Sequence, residues 1–525
     1  MLPLATAAVV ASALAAYPGG AGSSVAPTLV VDNSFVMKTS DPQRAYEPTS
    51  FAVDRAIYDT LFTFERGDLA HPIPLLVKSW KAGNGATSFT FRIEKNVYFA
   101  DGTPLTSADV VFSLRRLVNL KGSPAFLLAG VTVSAKGRDA VVMRSRTPMP
   151  QLPSILAAPP TAIINSKLVE AHGGTDAANA ATADKAEQWF NSSASAGAGS
   201  GPYTLKSYSA TSQIVLTASK RYWGSKKPRF GSVVFRNMPA ATQLLNVARG
   251  SHEIAIDLSS QQAQTLAGNH KLRVSLQPST WVFYLVSNDD PQISTVTPNK
   301  QFQRAVRYGL DYEGIVSVAG PGAIQAAGVI PSMLLGSLPK KLAIEQNLAK
   351  ARAALAASGV ANEQVTLEYP SDLTLNGVSF ATLAQKVQAS LQSAGIDVTL
   401  SGSPIASWLP RWRDGKLAFA LSAATFDYPD PGDYLVFTPG ELIGNHAGWP
   451  KGSDPAIEQL AAKALFTTAP TARKSLYQQL QLQLNERGPF FPLMQPAQVF
   501  VATADLRNAV FDAVYQVDVT QVSST

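Results

Sequence analysis

Helical and strand-like patterns alternate through the second half of this chain, and that alternation limits the fold more than any other feature. Apolar residues at helical spacing predict helices over 300–308, 345–357 and 380–394, and the last runs directly into a strand over 396–400. A helix feeding into a strand is the repeating unit of layered α/β domains, where helices cover the faces of a sheet. The first half holds the same ingredients. Residues 28–32 form a short β-branched run that reads as a strand, and Val53, Ile57, Leu61 and Phe64 fall at helical spacing within 51–64. Phe89, Phe91 and Ile93 alternate with Thr90 and Arg92, the period of a half-buried strand. Asp101-Gly102 marks a turn. Thr106, three residues before Asp109, predicts a capped helix, because a hydroxyl satisfies free backbone N–H groups and an acid suits the positive end of the dipole. Further strands are expected over 203–205, 213–217 and 232–235, with a helix over 240–248. Residues 173–201, rich in Gly, Ala, Ser and Asn, read as a surface excursion around one helical piece near Trp189. No repeat with a period of about 20–50 residues is present.

The 525 residues suffice for roughly three or four domain-sized units of about 150 residues each. With 46% hydrophobic and only 15% charged residues, a large core is affordable and a disordered chain is excluded. There is no cysteine, which removes disulfides, thiol nucleophiles, cysteine-ligated zinc and iron–sulfur clusters. The net charge of +7 is dilute and the basic residues cluster only as pairs such as Arg115-Arg116, Lys226-Lys227 and Lys340-Lys341. A solvated, mildly basic surface fits better than a nucleic-acid footprint. No two of His71, His172, His252, His270 and His446 stand at metal-ligand spacing, and no P-loop or G-x-S-x-G elbow occurs. Gly197-Ala198-Gly199-Ser200-Gly201 runs into Pro202 and a strand instead of opening a helix, so it is not a dinucleotide loop. These readings argue against an enzyme, a metal site and a cofactor.

Residues 1–16 carry no charge and are nearly all apolar, which is the length of a signal-peptide core and too short for a spanning helix of about 20 residues. Ala13 and Ala15 offer a cleavage option, although no Lys or Arg precedes Lys38. Leu14-Ala15-Ala16-Tyr17 resembles a bacterial lipoprotein box with Tyr where the lipidated Cys belongs, so the chain as written is not lipidated. Export is the expectation, with a disordered Ala-rich leader as the alternative, and residues 17–27 read as a flexible linker. No other segment reaches about 18 consecutive apolar residues, so the mature chain should be soluble.

Several blocks then resemble one family. Ser40-Asp41-Pro42 and Ile57-Tyr58-Asp59-Thr60-Leu61 are followed by Phe89-Thr90-Phe91-Arg92-Ile93 and by the run from Asp101-Gly102-Thr103-Pro104-Leu105-Thr106 to Asp109-Val110-Val111-Phe112-Ser113. Gly199-Ser200-Gly201-Pro202-Tyr203, Arg221-Tyr222-Trp223-Gly224, Gln303-Arg304-Ala305 through Asp311, Leu476-Tyr477-Gln478-Gln479 and Pro489-Phe490-Phe491-Pro492-Leu493 continue in the same order. Together they resemble the extracytoplasmic solute-binding proteins of bacterial ABC importers, in the class that captures dipeptides, oligopeptides and nickel chelates.

That resemblance implies a two-lobed α/β fold of the periplasmic-binding-protein kind, with a ligand cleft between lobes joined by two hinge strands. Lobe I would span 28–276, with 488–525 returning to it, and lobe II 277–487; the crossings would lie near 274–284 and 489–499. The function implied is capture of a di- or oligopeptide and delivery to membrane permease subunits by a monomeric, extracytoplasmic, non-enzymatic protein. In peptide-binding members an Asp in this position receives the α-ammonium, which makes Asp427 of Phe426-Asp427-Tyr428-Pro429-Asp430-Pro431 the candidate anchor, with Tyr428 beside it. Backbone at Ala423, Ala424 and Thr425 would lie along one side of an extended peptide and that of Val36, Met37 and Lys38 along the other. Trp408 and Trp412 join the candidate lining, while Trp281, Phe283 and Tyr284 fall near the hinge. Leu421 stands where an oligopeptide-binding relative carries Arg, and Lys38, Arg411 or Arg413 could replace that contact. The alternatives left open are that Asp427, Asp430 and Asp433 are turn formers beside the prolines, a calcium loop, and core packing for the aromatics. For the whole chain they are a nickel chelate, haem or saccharide as solute, an exported hydrolase, and a nucleic-acid binder.

Overall fold

The protein is described from a computed structural model that covers residues 26–525 apart from Val36, Arg66 and Asn84. The signal-like segment 1–16 and linker residues 17–25 lie outside the described residues.

Two sheets organise two lobes. The first lays the strands in the order Leu272–Pro278, Ala497–Thr503, Glu253–Ala255, Thr28–Asn33, Ser232–Asn237, Gln213–Ala218 and Tyr203–Tyr208. Thr28–Asn33 is parallel to both of its neighbours, in register Val30 to Val234 and Val31 to Ile254. Its Leu29 and Val31 are fully buried, as expected where helices and loops cover a parallel pair. The second sheet runs Ile324–Gln325, Phe490–Gln495, Val282–Ser287, Phe419–Ala424, Val365–Pro370 and Val398–Ser403. Val365–Pro370 is parallel to both of its neighbours there. The helices Lys300–Gly309 and Phe380–Ser393 pack their apolar faces on this sheet around Phe283, Leu367 and Phe419.

The chain passes between the sheets twice, through Ser279-Thr280-Trp281 and through Pro496. Ser279 N–H donates to the Pro496 carbonyl at 2.9 Å, and the Gln495 amide donates to the Ser279 carbonyl at 2.8 Å, so the two crossings form one ribbon. Both lie within the stretches 274–284 and 489–499 expected for the crossings, and after the lobe edges placed at 276 and 488. Strand Phe490–Gln495 pairs with Val282–Ser287 and so belongs with the second sheet.

The first lobe carries a further four-stranded sheet, Val77–Gly83, Ser88–Ile93, Ala140–Arg144 and Thr132–Ala135, against which helix Ser107–Asn119 packs. Thr106 caps that helix with Asp109 in a reciprocal box, and the Thr106 N–H donates to Asp109 at 2.8 Å. The sequence blocks named above meet here and hold one another. Arg116, fully buried, donates to Asp41 through two nitrogens at 2.8 and 2.6 Å and to Asp184 at 2.7 and 2.9 Å. Asp59 accepts from Ser200 and from the Trp223 indole, each at 2.9 Å.

Two local expectations give way. The helix expected over 51–64 spans Pro48–Ile57, and Phe62–Phe64 is instead a strand paired with Pro72–Pro74. The helix stops because Tyr58 turns extended and Gly201 N–H takes the Ile57 carbonyl at 2.9 Å. Nor is 173–201 a surface excursion throughout. Ala186, Phe190 and Ala198 are buried in the first-lobe core, and a Cβ on Gly199 would stand 2.1 Å from the Ile57 oxygen. Small residues are there because backbones touch.

Helix Pro48–Ile57 also buries Asp54, neither of whose carboxylate oxygens has a partner. Burial, and then the charges of Asp41 and Glu47, push its carboxyl well above the usual range. A folded value raised above the unfolded one, about 3.9, gives stability that is complete below that value and lost as pH rises. Asp54→Asn should therefore flatten this loss and raise stability near pH 7 by about 1–3 kcal/mol. Urea unfolding at about pH 5 and about pH 8 checks it, and an unchanged difference between the two pH values would refute it.

Candidate functional site

Parallel strands leave a crevice beyond their carboxyl ends, because connections depart there in opposite directions. Both sheets point those ends at the gap between the lobes. From the first come Ser34 and Phe35 after Thr28–Asn33, and Ile256 to Ser259 after Glu253–Ala255. From the second come Thr374 to Gly377, beyond Val365–Pro370. With Glu47, Trp281 and Gln498 these residues enclose a cavity of about 620 Å³, within the range of about 300–1,000 Å³ usual for ligand pockets.

Side chains bridge the lobes around it. The Asn376 amide donates to Gln498 at 2.8 Å from the tip of a two-residue hairpin, Asn376-Gly377, in which both residues have positive φ. A Cβ on Gly377 would stand 3.0 Å from the Ser259 Cβ, so the hairpin tip reaches the first lobe closely. Elsewhere the Tyr46 hydroxyl donates to Asp427 Oδ1. Tyr428 is buried among first-lobe residues that include Val514 and Tyr515.

The three acids of the 427–433 loop divide by role. Asp430 is held by Arg473 at 2.9 and 2.6 Å and accepts the Gly432 N–H at 2.7 Å. Asp433, whose carboxyl burial and the Asp427 charge push well up, accepts the Asp427 N–H at 2.7 Å. Those two shape the turn. Asp427 alone reaches across to the other lobe. Burial pushes its carboxyl up, and the Tyr46 hydrogen bond opposes that shift. Among the described residues, no group of three or more His, Cys, Asp or Glu is arranged to hold a metal ion.

The other sequence candidates scatter. Ala423 and Ala424 pair with Phe283 and Val282 on one edge. On the other edge their strand pairs with its parallel neighbour only through Phe419 and Ala420, leaving the backbone beyond Ala420 without a strand partner there. Thr425 is tied to the crossing by a hydroxyl contact to Thr280 at 2.9 Å. Val36 lies outside the described residues. The Met37 side chain is buried in the first-lobe core and its carbonyl accepts from the Tyr208 hydroxyl at 2.5 Å, while Lys38 is exposed. Trp408 and Trp412, on helix Ile405–Arg413, stack on each other at 5.7 Å within the second-lobe core, 3% and 5% exposed. That makes core packing their evident role in the fold. Leu421 is likewise wholly buried, and Arg411 pairs with Glu368 at 2.6 Å. The sequence reading missed Tyr46, Glu47, Asp257 and the Asn376-Gly377 tip. Only the last has a local signature, the Asn-Gly pair of a tight hairpin.

Residues 71–441 match the family model described as bacterial extracellular solute-binding proteins, family 5 Middle. The probable D,D-dipeptide-binding periplasmic protein DdpA of Escherichia coli is 26% identical over 506 residues, covering 92% of this chain and 91% of that protein. The ABC transporter substrate binding protein CtaP of Listeria monocytogenes superposes with a TM-score of 0.79 at 18% identity, over 95% of this chain and 99% of the other. DppA of Helicobacter pylori, in complex with the peptide STSA, gives 0.76 at 20% identity, over 95% and 98%. Spanning well over half of the sequence, the family match carries the assignment: the chain belongs to the bacterial extracellular solute-binding proteins of family 5.

Proposed function

We propose that this chain captures a short peptide between its lobes and hands it, unaltered, to the membrane subunits of an ABC importer. The observation that carries this reading is the Asp427 carboxylate, placed at the junction of the lobes with only a neutral hydroxyl, Tyr46, donating to it from the other side. A peptide's α-ammonium can displace that hydroxyl and form a charge-assisted hydrogen bond, which contributes about 1.5–3 kcal/mol. The unpaired edge beyond Ala420 suits main-chain pairing with an extended peptide, which tolerates many side chains. The single ribbon at Ser279 and Pro496 suits a hinge: closure is favoured to the extent that ligand contacts are better in the closed form than in the open one. Membrane subunits would then read the closed shape.

The same reading places the working protein outside the cytoplasmic membrane as a monomer, with residues 1–16 as its export signal and Tyr17 at the position where a lipoprotein box carries cysteine. Among the described residues, no helix is long and apolar enough to cross a membrane. The test is native mass spectrometry of the protein purified from its own host. A released peptide, recovered intact after incubation, supports the proposal. A released saccharide, haem or nickel complex overturns it, and a cleaved peptide would reinstate the hydrolase.

A further inference from the structure

Charge around the interlobe cavity is one-sided. Glu47 and Asp257 line it, and among the described residues no lysine, arginine or histidine does. Asp427 does not line it, but accepts from Tyr46, the chain neighbour of Glu47. The three acids stand on separate elements: the N-cap of helix Pro48–Ile57, the turn after Glu253–Ala255, and the loop after Phe419–Ala424.

Several of the buried acids elsewhere in the molecule pair with arginine, although Asp54 and Asp433 do not. Asp41 and Asp184 hold Arg116, Asp32 holds Arg236, and Asp430 holds Arg473. Glu47 and Asp257 at the cavity, and Asp427 beyond Tyr46, accept only from neutral groups. Glu47 takes the Tyr46 N–H at 3.0 Å and caps its helix, Asp257 takes the Ser34 N–H and the Gln243 amide, and Asp427 takes the Tyr46 hydroxyl. Burial pushes the carboxyls of Asp257 and Asp427 up, the direction expected where counter-charge is lacking. Lys38, close in sequence, is exposed and does not line the space.

A carboxylate withdrawn from water is costly unless a cation meets it. One α-ammonium can neutralise one of these acids, which leaves the others for a second positive group. A terminal carboxylate drawn into the same space would meet Glu47 and Asp257 and, among the described residues, no cation. Resting on the peptide reading above, we infer that the cavity selects short peptides of net positive charge, bearing a lysine or arginine side chain, and offers no anchor to their terminal carboxylate.

Calorimetric titration of the purified chain with Ala-Lys-Ala, Ala-Ala-Ala and Ala-Glu-Ala, each with a free and an amidated C-terminus, tests this. Ala-Lys-Ala should bind at least about tenfold more tightly than Ala-Ala-Ala, and Ala-Glu-Ala more weakly than either. Amidation should leave each affinity within about threefold or strengthen it. Glu47→Gln, which keeps an acceptor for the helix cap, should narrow the ratio between the lysine and alanine peptides. Ala-Glu-Ala binding as tightly as Ala-Lys-Ala, or amidation weakening binding more than about tenfold, overturns the inference and leaves the peptide reading standing. Binding by none of the six overturns both.

Discussion

Replacing Arg116 with leucine should destabilise the fold by at least about 3–5 kcal/mol, the cost of breaking a buried ion pair from one side. The guanidinium is fully buried and divides its donors between Asp41, Asp184 and the Gln43 side chain. Removing it leaves two buried carboxylates with only the partly exposed Arg44 as counter-charge, at 3.4 Å from Asp41 and 3.1 Å from Asp184. Burial alone would raise the Asp184 carboxyl, yet the hydrogen bonds and charge of Arg116 outweigh it and hold that carboxyl below the usual range. A depressed acid contributes stability that is present above its unfolded value, about 3.9, and lost as pH falls. The leucine variant should therefore lose stability near neutral pH and show a shallower acid-side decline. Urea unfolding at several pH values measures both. Adding Asp41→Asn and Asp184→Asn should recover part of the loss, because neutral groups are cheaper to leave buried. A single variant as stable as the parent would show that these acids find other partners.

Asp427→Asn should weaken peptide binding by about ten- to a hundredfold, the equivalent of one charge-assisted hydrogen bond. Asparagine keeps the shape and an acceptor for Tyr46, so the fold should survive. In the parent, affinity should fall with acidity as the raised Asp427 carboxyl takes up its proton, and the asparagine variant should lack that component. Tyr46→Phe supplies the opposite control. It removes the neutral donor that competes for Asp427, so affinity should hold or rise. Calorimetric titration at fixed ionic strength reads all three. Unchanged affinity in Asp427→Asn would remove this residue from the site.

What could be read from the sequence was local, or was carried by family resemblance. The capping pair Thr106 and Asp109 lies within one helical turn, and the strand of Phe89 to Ile93 declares itself by alternation; both stand as expected. The helix expected to continue to Phe64 failed because Leu61 and Phe64 keep helical spacing by coincidence. The chain is turned out at Tyr58 by Gly201, more than 140 residues later in the sequence. Small residues over 173–201 looked like solvent-exposed loop, although several are small because another backbone lies against them. For the site, the Asp427 motif was visible, but its partner was not. Tyr46 lies 381 residues away and carries no motif of its own. Glu47 and Asp257 were hidden for the same reason, since only folding gives them a common cavity.

The strand Ala497–Thr503 lies inside the first sheet, between Leu272–Pro278 and Glu253–Ala255, with every residue buried. Its partners leave the ribosome more than 200 residues before it, since Ile254 waits for Ala502. Biosynthesis therefore cannot finish the earlier lobe until the later one has been made. Until then two nascent strands expose unpaired edges, the condition that invites aggregation and chaperone binding. Chains that end just short of residue 497 and are released from the ribosome should thus be protected from protease across 282–495 and remain cleavable in the segment that precedes it.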